Sequence, residues 1–236
     1  MLHPRADKPI KPKKPVHPAT PVKLQAKSAG RPRAADIETR MQALLSTAAN
    51  LFLQNGYSGV SLEMIARQAH VAVRTIYVKF GGKAGLLNEI IAGGRLRHFS
   101  SMSDMQTDRR PLAQILNDFG LRFLELVSRP AAIELQRMVI AEARTNPELA
   151  ATFHQAGPLQ TRAMLTGFFA RLDIAAQFRS DLAPTMLTSH LISCLLGDQS
   201  TRFLFVPQQI QEPTQEDRTR QVAQGLDLFL RATLRQ

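Results

Sequence analysis

The residues best equipped for chemistry lie in one short stretch, Val73-Arg-Thr-Ile-Tyr77. Arg74 carries a planar guanidinium that can take the O6/N7 edge of guanine in a bidentate pair. Val73 and the Thr75 methyl can meet thymine methyls, and the Thr75 hydroxyl can reach a base or a phosphate. Ile76 and Phe80 are spaced to turn the other way, into a core. Ala72 stands just ahead of this face and is counted with it. This is recognition chemistry, not bond breaking. The six histidines, His3, His17, His70, His98, His154 and His190, show no metal-ligand spacing. There is no Ser-His-Asp arrangement, no phosphate-cradling glycine loop and no HExxH. Glu134, Glu142 and His154 could do acid–base work, but nothing singles them out. No enzyme, metal or cofactor is expected.

The elements that position this stretch are three short helices. Ile37, Met41, Leu44, Leu45, Ala48, Leu51 and Phe52 recur at steps of three and four, which marks one buried helix face. Asp36 is placed to cap that helix and Asn55-Gly56 to end it. A second helix fits Leu62 to Gln68, with Ser61 at its N-cap, Glu63 in its first turn, and Ile65 and Ala66 inward. A tight break, Ala69-His-Val-Ala72, leads to a third helix from Val73 to Lys79. Two short helices joined by so short a turn have the geometry of a major-groove reader.

Composition points the same way. The chain has 236 residues, ample for a real core, and 44% of them are apolar. Helical periodicity dominates and alternating β-branched runs are scarce, so the fold is read as all-α. The net charge of +11 is uneven: residues 1–35 hold nine Lys or Arg against Asp7 alone, leaving the rest near balance. They also hold seven of the 14 prolines and almost no aliphatic pattern. A basic, extended arm is expected there, with a polyanion as its partner. Within it, Gly30-Arg-Pro-Arg33 resembles the Gly-Arg-Pro core of minor-groove AT-hooks, with Ala29 where Arg normally precedes it. Two readings stay open: Arg31 or Arg33 enters a minor groove, or the arm adds unspecific attraction only. The lone Cys194, in the apolar run Leu191 to Leu196, fits a reducing cytoplasm and reads as a small buried hydrophobe. No run approaches a membrane span, and no apolar segment follows the basic N-terminus as a secretory signal requires.

The spacing of Gly56-Tyr57, Ser61-x-x-x-Ile65-Ala66, Val71, Thr75-Ile-Tyr77-x-x-Phe80, Lys83 and Leu86-Leu87 resembles the DNA-binding domain of TetR/AcrR-family regulators. Three positions depart from that pattern. His70 replaces the usual turn Gly, Lys79 an aromatic or His, and Gly82 a Ser or Asn cap. The resemblance implies that Ser61, Tyr77, Lys79 and Lys83 hold phosphates, which fixes register without reading sequence. The run Met138-Val-Ile-Ala-Glu-Ala143, then Asn146-Pro-Glu-Leu149, Phe153 and Gly157-Pro158, is similar to the AefR-like subgroup. It implies a ligand-binding and dimerising C-terminal half.

The remaining helices are expected at 83–102, with Leu86, Leu87, Ile90, Ile91 and Leu96 buried, and then from Pro111 onward. A break falls at Ser128-Arg-Pro130, and a short helix from Pro147 ends at Gly157-Pro158. The next runs to about Leu172, and two long ones span Leu182 to Phe205 and Glu216 to Leu234. Three units follow: a basic arm at 1–35, a reader at 36–82, and a helical regulatory and dimerisation domain at 83–236. Phe119, Phe123, Met138, Phe153, Met164 and Phe168 are read as lining an apolar ligand pocket, with plain core as the alternative. Leu187, Leu191, Leu195, Leu226, Phe229 and Leu230 form apolar stripes, read as the dimer interface by family precedent. Two copies would set their reader helices about one DNA turn apart on a near-palindrome. The expected function is a dimeric, cytoplasmic DNA-binding regulator, a repressor released by a small apolar ligand. A DNA-packaging protein using the basic arm, or an all-α enzyme, are the alternatives.

Overall fold

The computed structural model describes residues 34–100, 104–205 and 212–235. The basic arm, with Arg31 and Arg33, therefore lies outside the described residues. Twelve α-helices make up the described part, with a single isolated antiparallel bridge, Phe178 to Leu234, and no strand.

The reader comprises α1 (Ala34–Asn55), α2 (Leu62–Gln68) and α3 (Val73–Phe80). Helix α1 already includes Ala34 and Ala35, so Asp36, expected ahead of the helix, lies within it. Ile37 is exposed, one turn too early to reach the core. Leu44, Ala48, Leu51 and Phe52 do reach it. Ser61 caps α2 by accepting from the Met64 amide at 3.2 Å. His70 takes a left-handed φ of 54°, so it fills the role of the glycine it replaces. Gly81, at φ 74°, ends α3 and lets α4 (Lys83–Phe99) start at once in a new direction. Leu86 and Leu87 are fully buried, but Leu96 is 64% exposed and does not belong to the inner face of α4.

The rest of the chain comprises α5 (Leu112–Ser128), α6 (Pro130–Glu142), α7 (Pro147–His154), α8 (Gln160–Phe169), α9 (Leu172–Ala175), α10 (Pro184–Leu196), α11 (Gln199–Phe205) and α12 (Gln215–Thr233). Prolines open α6, α7 and α10, where a missing amide hydrogen is harmless. Asn146 caps α7, and a Thr214–Asp217 capping box starts α12. Two boundaries differ from expectation. Gly157-Pro158 does not end α7: a π-helical turn, Gln155–Leu159, absorbs the proline and passes directly into α8. The expected long helix to Phe205 breaks at Gly197, whose φ of 51° favours glycine.

Two hydrophobic clusters hold the molecule. The larger lies among α5, α8, α10 and α12, around Phe119, Phe168, Phe169, Phe178, Leu191 and Phe229. Gly225 lets α12 cross α10 at backbone contact; a Cβ there would sit 2.5 Å from the Cys194 carbonyl oxygen. The smaller cluster joins the reader core to α4 and also takes in Val139 of α6 and Leu149 of α7. Packing is therefore continuous across residue 83.

This arrangement overturns one expected assignment. Leu187, Leu191, Leu195, Leu226 and Phe229 are all under 10% exposed within the single chain, and Leu230 packs against the same core. The stripes face α5 and α8, so they are not a free dimer surface. The outer faces of α10 and α12 instead present Met186, His190 and Leu228.

Candidate nucleic-acid interface

Helix α3 separates its residues as a reader should. Ile76 is fully buried and Phe80 is half-buried against the same core. Arg74, Tyr77, Val78 and Lys79 are exposed, as is Ala72 at the N-cap. Thr75 is half-buried at the rim. Val73 departs from expectation: it packs partly against the core, because it lies about one turn before Ile76. Val78, 75% exposed, falls outside the motif. The sequence does carry a signal for it, because a residue two after a buried helical position points nearly away from the core. Among the described residues no side chain caps α3; its Thr75 amide donates to the Ala72 carbonyl oxygen at 2.9 Å, and the positive end of the helix dipole at Val73 and Arg74 suits an acceptor such as a phosphate oxygen. Among the described residues, every ion pair lies between residues 108 and 231. Among the described residues no carboxylate pairs with the guanidinium of Arg74 or the ammonium of Lys79.

Two residues expected on phosphates are engaged elsewhere. Lys83 turns inward. Its ammonium donates to the carbonyl oxygens of Tyr57 at 2.7 Å and Val60 at 2.9 Å, and lies 4.4 Å from the Tyr57 ring centre. Burial lowers its pKa, opposed by the nearby Glu142 carboxylate. Lys83 thus staples the loop between α1 and α2. Ser61 stays exposed but is committed as a cap, and Glu63 is held below the usual carboxylate range by its own backbone amide and by Ser61. Burial, then the charges of Glu148 and Glu142, push the Tyr57 phenol up to about 12.

The six residues read as a pocket fall into two groups. Phe119, Phe123 and Phe168 are buried in the larger cluster and Met164 packs against it. Phe119 stacks on Phe99 at 5.8 Å and on Phe123 at 5.5 Å. Met138 and Phe153 instead pack against the smaller cluster beside the reader. They do not share one lining. A cleft of about 620 Å³ opens elsewhere, among α10, α11 and α12, with Asp198, Arg202, Asp217 and Arg220 in its walls. Among the described residues no group of His, Cys, Asp and Glu could hold a metal ion. No described helix is long and apolar enough to cross a membrane.

A helix-turn-helix with an exposed basic face, fused to a helical body, is the architecture of a transcriptional regulator. Comparison with known proteins gives the family. Residues 44–90 match the model for bacterial regulatory proteins of the tetR family. Residues 114–232, half of the chain, match the C-terminal domain of AefR-like transcriptional repressors. The chain belongs to the TetR family. No curated protein matches it. Solved structures share the fold at low identity. A TetR-family regulator from Mesorhizobium loti is 20% identical, with TM-score 0.68 over 87% of this chain and all of that one. The flavonoid-responsive regulator FrrA is 23% identical, with TM-score 0.66 over 84% and 98% of the two chains. SmeT in its triclosan complex is 20% identical, with TM-score 0.63 over 84% and 92%.

Proposed function

We propose that this TetR-family regulator binds a near-palindromic operator as a homodimer and represses until a small apolar ligand is bound. The observation that carries the DNA reading is the polarity of α3: Ile76 is at 0% exposure, while Arg74 and Tyr77 lie open on faces turned away from it and Lys79 is exposed in the last turn. Arg74 is the base reader, assisted by Thr75. Tyr77, Lys79 and the α3 N-terminus at Ala72 hold phosphates. One such helix makes few base contacts, so two are required for useful specificity. The dimer forms through the outward faces of α10 and α12, where Met186 and Leu228 are exposed. The effector class follows from relatives whose names include flavonoid response and a triclosan complex. It also follows from the aromatic interior of the larger cluster, which gives such a ligand Phe119, Phe123, Met164 and Phe168 to pack on. The units are the basic arm, the reader and the regulatory helices, with α4 as the link.

Selection from a random DNA pool tests this. A near-palindromic consensus is expected. Enrichment for A·T content alone would instead favour a packaging protein that works through its basic arm. The arm has its own test. Deleting residues 1–33 should flatten the salt dependence of operator binding, by about 0.9 in log–log slope for each phosphate the arm neutralises. An unchanged slope would mean that Arg31 and Arg33 do not touch DNA.

A further inference from the structure

Glu142 is the last residue of α6, where the helix dipole disfavours a carboxylate. Its place is explained across the chain. One carboxylate oxygen accepts the Tyr57 amide at 2.8 Å; the other accepts the Ser58 amide at 3.0 Å and the Ser58 hydroxyl. These donors lie in the loop between α1 and α2, some 85 residues earlier. Gly56 makes room for the contact: its φ is 72°, and a Cβ there would lie 2.9 Å from the same carboxylate. Lys83, at the start of α4, grips the carbonyls of this loop. An anion from α6 thus takes the loop's amides, and a cation from α4 takes its carbonyls. Charged partners make the stronger kind of hydrogen bond. Lys83 lies just three residues beyond Phe80, the end of the reader helix. A shift of α6 therefore pulls on the loop, on the start of α4 and on the seat of α3.

We propose that Glu142 is a positioning residue for operator binding, a latch through which α6 sets the angle of the reader and so the spacing of the two reader helices in the dimer. This rests on the dimeric DNA-reading function proposed above. The base-reading face does not include Glu142. Its loss should leave the half-site sequence unchanged and loosen the spacing between half-sites.

The test uses the full chain with Glu142→Gln, which puts an amide NH2 against a loop N–H and removes the charge. Two quantities are read: hydrogen exchange at the Tyr57 and Ser58 amides without DNA, and affinity for the selected operator and for operators with one base pair inserted or removed between half-sites. We expect about tenfold faster exchange confined to the loop, the same half-site consensus, and about a tenfold loss of discrimination between spacings. Ser58→Ala, which removes only the hydroxyl donor, should shift both readouts the same way by less, and it decides the matter if Glu142→Gln does not fold. Unchanged exchange means that there is no latch. Faster exchange with unchanged spacing discrimination means that Glu142 supports the loop but positions nothing. Either result overturns the proposal alone. A wild-type protein that selects no palindrome overturns the regulator function as well.

Discussion

Phe229→Glu is expected to prevent folding, whereas Leu228→Glu, one residue earlier, is expected to fold and to run as a monomer. The two side chains leave α12 in different directions. Phe229 is 1% exposed, with its ring 6.0 Å from both Phe169 and Phe178. Truncating such a ring to alanine costs about 3–5 kcal/mol. An unpaired carboxylate in its place adds desolvation. Total stabilities of about 5–15 kcal/mol leave little margin for that. Leu228 is 62% exposed and touches no described core cluster, so a charge there should leave the fold intact and spoil the apolar contact proposed between subunits. Circular dichroism and light scattering on both variants read the difference. A folded, monomeric Phe229→Glu would mean that the buried stripe opens to form the dimer. A dimeric Leu228→Glu would move the interface away from α12.

This pair shows where sequence pattern stops. The repeat of Leu187, Leu191 and Leu195 reports that one face of a helix is buried. It does not report whether the partner is another helix of the same chain or another subunit. That depends on α5 and α8, which occupy the face first. The reader is legible because its constraints are local. Ser61 caps three residues ahead, His70 sits in a four-residue turn, and Ile76 is opposed to Arg74 within one helix. The helix that carries Lys83 is legible too. The direction of its side chain is not, because the carbonyls that hold it belong to Tyr57 and Val60, more than 20 residues away. Glu142 carries the same lesson over a longer span. Its only local trace is a carboxylate at a helix end that disfavours one. The π-helical turn at Gly157-Pro158 is hidden for a related reason. A Gly-Pro pair ends a helix in isolation, yet here a widened turn keeps the backbone helical from α7 into α8, packed against Ile91 of α4.

Arg74→Ala is expected to weaken operator binding by about 1–3 kcal/mol, roughly fivefold to a hundredfold or more, and to relax preference at a single position of each half-site. Arg74 is exposed in the first turn of α3, on the side opposite Ile76, and among the described residues no carboxylate pairs with its guanidinium. A bidentate pair with guanine fails as a whole when either nitrogen is misplaced, so the effect should fall on one base pair and not on the whole site. Lys79→Ala is the control. Lys79 is exposed in the last turn of the same helix and is expected on a phosphate. Its removal should weaken all sequences alike and reduce the salt slope by about 0.9 for the one phosphate it neutralises. Binding of both variants to a panel of single-base operator changes, at two salt concentrations, separates the roles. If Arg74→Ala behaved as Lys79→Ala is expected to, uniformly weaker and less salt-sensitive, then Arg74 would be a register contact. Base reading would pass to Thr75 and to the exposed Val78, whose side chains offer methyl contacts to thymine in place of a guanine fork.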